Sequence, residues 1–134
     1  MKMKSVTPFL MFQNGKGKEA LEYYMKIFPN SNIEAISYYS EEDEGGEAGT
    51  IRQANFTING QSFMCIDSNI EHKFDFTPSF SIFIECESEA EVEKLYDSLL
   101  EGGQALMPIG NYGFSQSFGW VNDRFGVSWQ LNYK

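Results

Sequence analysis

The chain has 134 residues, of which 42% are hydrophobic and 16% aromatic, too apolar a mix for a disordered segment and near the commonest size of a single domain. Its formal charge of −9, with only 10 scattered Lys and Arg, excludes the basic face that a nucleic-acid backbone requires. No run approaches the roughly 18 apolar residues of a membrane span, and the basic start Met1-Lys2-Met3-Lys4 is not followed by a small-residue cleavage site. These features predict a cytoplasmic protein with no nucleic-acid or membrane partner.

In chain order, residues 5–12 read as a buried strand, and Asn14-Gly15-Lys16-Gly17 as a turn into a helix. Ala20, Leu21, Tyr24, Ile27 and Phe28 recur at three- and four-residue spacing, which predicts a helix from Lys18 to Phe28 with one apolar face; Pro29-Asn30 ends it. Ile33 to Tyr39 alternates and suits a strand. Residues 40–49, SEEDEGGEAG, have no periodicity and read as a mobile acidic loop. Ile51–Ile58 and Gln61–Asp67 flank Asn59-Gly60, a two-residue hairpin signal. Residues 68–78 read as a linker.

The second half keeps the same order. Thr77-Pro78 introduces an apolar run much as Thr7-Pro8 does. Ser79–Cys86 reads as a strand with Ser79, Ser81, Phe83 and Glu85 on one face. Ser88 and Glu91 have capping-box spacing, and Val92, Leu95, Tyr96 and Leu99 form the stripe of a helix that Gly102-Gly103 closes. Residues 104–109, 115–121 and 127–132 read as three further strands. The expectation is an α+β fold of two βαβββ modules, about 1–67 and 79–134, with helices on one face of mostly antiparallel curved sheets that form a cup. Two modules are too few for a solenoid array. A sheet face that needs covering predicts a homodimer.

Several segments resemble the PhnB-like branch of the vicinal-oxygen-chelate superfamily, which includes glyoxalase I, extradiol dioxygenases and bleomycin-resistance proteins. They are Thr7-Pro8-Phe9-Leu10-Met11-Phe12, Ala20-Leu21-Glu22-Tyr23-Tyr24, Phe28-Pro29-Asn30-Ser31, Asn59-Gly60-Gln61-Ser62-Phe63-Met64 and, most specifically, Gly119-Trp120-Val121-Asn122-Asp123-Arg124-Phe125-Gly126-Val127-Ser128-Trp129-Gln130-Leu131. The resemblance implies paired βαβββ modules around a cup, commonly in a homodimer. Members of the branch often carry the description 3-demethylubiquinone-9 3-methyltransferase. This chain has no G-x-G-x-x-G after a strand, so methyltransferase activity is not expected.

The superfamily's metalloenzymes place His, Glu or Gln at four strand positions in the cup. Register transfer puts Thr7, Cys65, Ser79 and Gln130 there, and a two-residue slip brings in Phe9, Asp67, Ser81 or Asn132. No choice supplies two His and a carboxylate, so neither a metal nor another cofactor is expected. The expected ligand-binding set is Thr7, Phe9, Met11, Phe63, Cys65, Ser79, Phe83 and Gln130, an apolar wall with a few polar groups. Cys65 could be a nucleophile or core, and core is preferred. Trp129 is assigned to the core and Trp120 is left open. His72, the only histidine, reads as an exposed linker residue. Residues 40–49 and the turn at Asn111-Tyr112-Gly113 are candidate lids. The function expected is the binding of a small, partly apolar molecule in a metal-free cup. One alternative is a metal-dependent lyase or dioxygenase using Asp67, Glu85, Gln130 and His72; the other is a dimeric scaffold whose cup is filled.

Overall fold

The computed structural model describes residues 2–134. The chain divides into two compact units, one ending at Glu71 and the other spanning His72–Lys134. Each has the order strand, helix, three strands. The first unit contains β1 (Phe9–Gln13), α1 (Gly17–Ile27), β2 (Ser31–Tyr38), β3 (Ile51–Ile58) and β4 (Gln61–Ser68). The second contains β5 (Ile82–Glu85), α2 (Glu89–Leu100), β6 (Gln104–Gly110), β7 (Ser117–Asn122) and β8 (Ser128–Tyr133). The α+β reading with paired βαβββ units is therefore observed. No helix is long and apolar enough to cross a membrane, among the described residues.

The sheets have matching strand orders, β1-β4-β3-β2 and β5-β8-β7-β6. In each, the unit's first and last strands pair in parallel and the remaining neighbours are antiparallel. The helix and the two strands between them supply the long crossover that a parallel pair needs. The helix's apolar stripe covers one sheet face. Ala20, Leu21 and Tyr24 of α1 are buried with Leu10, Phe12, Ala54 and Phe56 of the first sheet, and Val92, Leu95, Tyr96 and Leu99 of α2 with Val121, Trp129 and Leu131 of the second.

Local chemistry sets the boundaries. The β3–β4 hairpin turns on Asn59 and Gly60 at φ of 48° and 82°, the left-handed pair that a two-residue turn requires. At α2 the Ser88 hydroxyl accepts the Glu91 N–H at 3.1 Å, as the capping-box spacing predicts. The Glu91 carboxylate returns one residue earlier than that motif specifies, accepting the Glu87 N–H at 3.3 Å. Gly119 lies beneath Tyr96 of α2; a Cβ there would fall 2.6 Å from the ring, so the helix sits closer to the sheet than any other residue would allow.

The sequence expectations need three local corrections. Thr7 precedes β1, which begins at Phe9 after Pro8. Ser79 lies in a turn, closed by Phe80 N–H to Thr77 C=O at 3.2 Å, and β5 begins only at Ile82. Residues 40–49 are built from turns: the Asp43 carboxylate accepts from Ser40 N–H at 2.7 Å and from its hydroxyl at 3.0 Å, bonds that hold its pKa below the ordinary value. The Glu47 N–H donates to Asn69 Oδ1 at 3.2 Å.

Candidate functional site

One face of each sheet carries no helix, and the pairing register shows which residues lie on it. In the second sheet, Phe83 pairs with Gln130, Gln130 with Trp120, and Trp120 with Met107. Paired residues project to the same face, so these four form one row across the strands. It lies opposite the Ile82, Trp129 and Val121 row under α2. On one side, Glu85, Asn132, Phe118 and Gly110 form the next row; on the other lie Ser128, Asn122 and Gln104.

The polar groups of this face are held in place. Gln130 Nε2 donates to Ser81 Oγ at 2.6 Å, which leaves the Gln130 amide oxygen as an acceptor. The Trp120 indole N–H donates to Ser128 Oγ at 2.8 Å, fixing the ring plane. Asn132 Nδ2 donates to both oxygens of Glu85, at 3.0 and 3.1 Å. Phe83 is 54% exposed and adds an open apolar ring to this face. Trp120, left open by the sequence, joins Phe83 and Gln130 here. Trp129 is in the core, as expected, with its indole N–H bonded to Asp123 Oδ2 at 2.9 Å.

The first sheet separates residues that the sequence grouped together. Phe9 pairs with Met64 and Met11 with Ile66, so Phe9 and Met11 share the helix-free face with Met64 and Ile66. Leu10 pairs with Cys65, and Phe63 pairs and stacks with Phe56. Cys65 and Phe63 are therefore on the opposite face, buried with the residues under α1. Counting alternate residues within one strand gives the parity but not its phase relative to the next, and the assumed shared face had the phase wrong. Burial, followed by the Asp67 charge, pushes the Cys65 thiol up to about 12. Burial and the Glu91 charge push Cys86 up to about 12 as well. Both thiols remain protonated at neutral pH, the opposite of what a nucleophile needs.

Asp67 is on the same buried face. Its two oxygens accept Gly17 N–H and Ile51 N–H, each at 2.8 Å, so it anchors the start of α1 and of β3. The sequence weighed Asp67 only as a site residue. Gly17 leaves room for this anchor, since a Cβ there would fall 2.7 Å from the carboxylate. His72 is stacked on Phe74 at 4.6 Å. Among the described residues, no group of three or more His, Cys, Asp and Glu side chains is placed to hold a metal ion.

The same architecture recurs in proteins of known structure. A PhnB protein of Bacillus cereus, described as a 3-demethylubiquinone-9 3-methyltransferase, is 47% identical, covers 98% of this chain and 100% of its own, and superposes with a TM-score of 0.92. The curated protein YjdN of Escherichia coli is 24% identical over 95% of this chain and 93% of its own length. The fosfomycin resistance protein FosX of Listeria monocytogenes is 12% identical over 100% of this chain and 95% of its own, with a TM-score of 0.67, a likeness of fold alone. The family model described as 3-demethylubiquinone-9 3-methyltransferase matches residues 4–132. The chain thus belongs to that family, the PhnB-like group, and has a fold of the glyoxalase and bleomycin-resistance type.

Proposed function

We propose that this chain is a small-molecule-binding protein that holds a modest, partly apolar ligand without a metal. The observation that carries the reading is the Phe83–Gln130–Trp120–Met107 row: exposed or half-buried apolar side chains around polar groups already fixed by Ser81 and Ser128. Small-molecule sites have this composition, an apolar surface with a few oriented polar atoms. Phe9 and Met11, with Thr7 ahead of them, offer a second apolar surface on the first unit. Cys65 and Phe63 belong to the supporting core and not to the ligand surface.

Methyl transfer is not part of this reading. The fold usual for S-adenosylmethionine chemistry is a mainly parallel sheet with a glycine-rich first turn. Here antiparallel neighbours predominate, and the Gly17 N–H of the turn into α1 is already taken by the Asp67 carboxylate and is not open to a cofactor. Pairing of two copies belongs to the proposal, since Ile70, Phe74 and Phe80 are 61–70% exposed and symmetric association is the usual way to cover such surface. Two free cysteines suit a reducing cytoplasm.

Native mass spectrometry of freshly purified protein tests this. A dimer with an organic adduct that is lost in Trp120→Ala supports the proposal. A stoichiometric divalent ion overturns it, as does an adduct retained unchanged by the variant.

A further inference from the structure

We infer that the ligand on the helix-free face of the second sheet carries a protonated amine on an aromatic or apolar body, and that Glu85 and Asn132 receive the ammonium group. This rests on the binding function proposed above and names its ligand class. Among the described residues, three buried side-chain polar atoms lack a hydrogen-bond partner: Ser115 Oγ, Asn122 Oδ1 and Asn132 Oδ1. All three are in the second unit, and two are amide oxygens in the rows on either side of Gln130 and Trp120. A buried amide oxygen without a donor is costly, and what it calls for is an N–H or O–H.

Asn132 is 4% exposed and its orientation is not open to exchange. Its Nδ2 meets both Glu85 oxygens, so turning the amide over would set oxygen against carboxylate. Asn132 Oδ1 and the Glu85 carboxylate therefore offer acceptors side by side. A carboxylate ligand would be repelled by Glu85, and an alcohol has one proton to share. An ammonium group has three donors and a charge, enough for both residues.

The surroundings suit a cation attached to an apolar body. Phe118 neighbours Asn132 in the row, and Phe83 and Trp120 lie in the next. Aromatic faces attract ammonium groups and stack on rings. Tyr112 and Phe114 pack on Phe118 with centroids at 6.1 and 5.1 Å, yet are 40% and 59% exposed. Tyr112 is tied back by its hydroxyl, which donates to Pro108 C=O, while Phe114 has ring contacts only, so Phe114 is the ring of this cluster that a ligand displaces most readily. The chain's charge of −9 draws cations and disfavours anions.

The test uses the intact protein and three matched probes: 2-phenylethylamine, 2-phenylethanol and phenylacetate. Binding is followed at pH 7 by the indole N–H resonances of the two tryptophans. Trp129, buried and bonded to Asp123, is the internal reference for the fold. The amine is expected to move the Trp120 resonance with half-saturation about tenfold below that of the alcohol, and Glu85→Gln to abolish that preference while Trp129 stays in place. If the alcohol or phenylacetate binds as well as the amine, or if Glu85→Gln keeps the preference, the amine assignment falls and the binding face stands. If no probe moves Trp120, both proposals fall.

Discussion

The two units share an order of elements but secure their helices differently. In the first, Lys16 at the start of α1 makes no side-chain cap, and the helix N-terminus is held by Asp67, fifty residues away in sequence. In the second, α2 is started by its own neighbour Ser88. The buried carboxylate of the second unit, Asp123, serves the β7–β8 turn instead. Its Oδ1 accepts Phe125 N–H at 2.8 Å and Val127 N–H at 3.1 Å, and its Oδ2 the Trp129 indole. Both units thus sink one carboxylate among neutral donors, but one ties distant elements together and the other organises six residues of chain. A shared architecture does not require a shared stabilising contact; each unit needs its buried N–H groups satisfied, by whichever acceptor is at hand.

Substitutions can break this contrast. The largest effect is expected for Asp123→Ala, which strands three donors at once and should cost about 3 to 5 kcal/mol, read from denaturant unfolding. Asp123→Asn should cost less, because Oδ1 survives and only the Trp129 contact turns repulsive. Next comes Asp67→Ala, expected to cost about 2 to 4 kcal/mol for its two stranded backbone donors. Gly17→Ala should cost a similar amount, since its Cβ displaces the same carboxylate. The pair should be far from additive: once Asp67 is gone, Gly17→Ala should be nearly neutral. Ser88→Ala should cost about 1 kcal/mol, the ordinary value of a local cap. A loss at Ser88 as large as that at Asp67 would erase the distinction between the two helices.

A further effect, absent at neutral pH, is on pH dependence and acts in both units. The thiols of Cys65 and Cys86 shift from an ordinary 9.0 up to about 12 in the fold. The native state therefore retains protons that the unfolded chain releases. The stability this contributes is present in full below pH 9 and is lost as pH rises towards 12. A melting temperature measured from pH 7 to 11 should decline less steeply above pH 9 in a Cys65→Ala, Cys86→Ala variant. At pH 8, Ellman's reagent should react with either thiol only after denaturant is added.

Much of this fold is written locally. Asn59-Gly60 specifies a hairpin through its left-handed backbone, and Ser88 begins a helix with a bond to Glu91; a reader of sequence sees both because cause and effect are a few residues apart. The shared face of the candidate residues was legible in the second unit, where Phe83 and Gln130 are one pair in a ladder, and misread in the first, where Cys65 and Phe63 turn to the core. The difference is phase. Alternation along β4 is plain, but which of its faces meets α1 is decided by pairing with β1, more than fifty residues earlier, and no local pattern encodes it. Trp120 was undecidable for the same reason, and the role of Asp67 was hidden because its partners are backbone groups, which have no signature in sequence.

The strand orders also govern assembly. In both sheets the strand made last, β4 or β8, occupies an interior place, flanked by the strand made first and by the one just before it. Neither β1 nor β5 has any partner in its sheet until that strand arrives. A nascent unit therefore holds an unpaired first strand through almost its whole synthesis, and the parallel ladder forms in one late closure over some fifty residues of loop. Cutting a unit short by one strand would not trim an edge. It would split the sheet through the middle, leaving a hairpin on one side and an orphaned strand on the other.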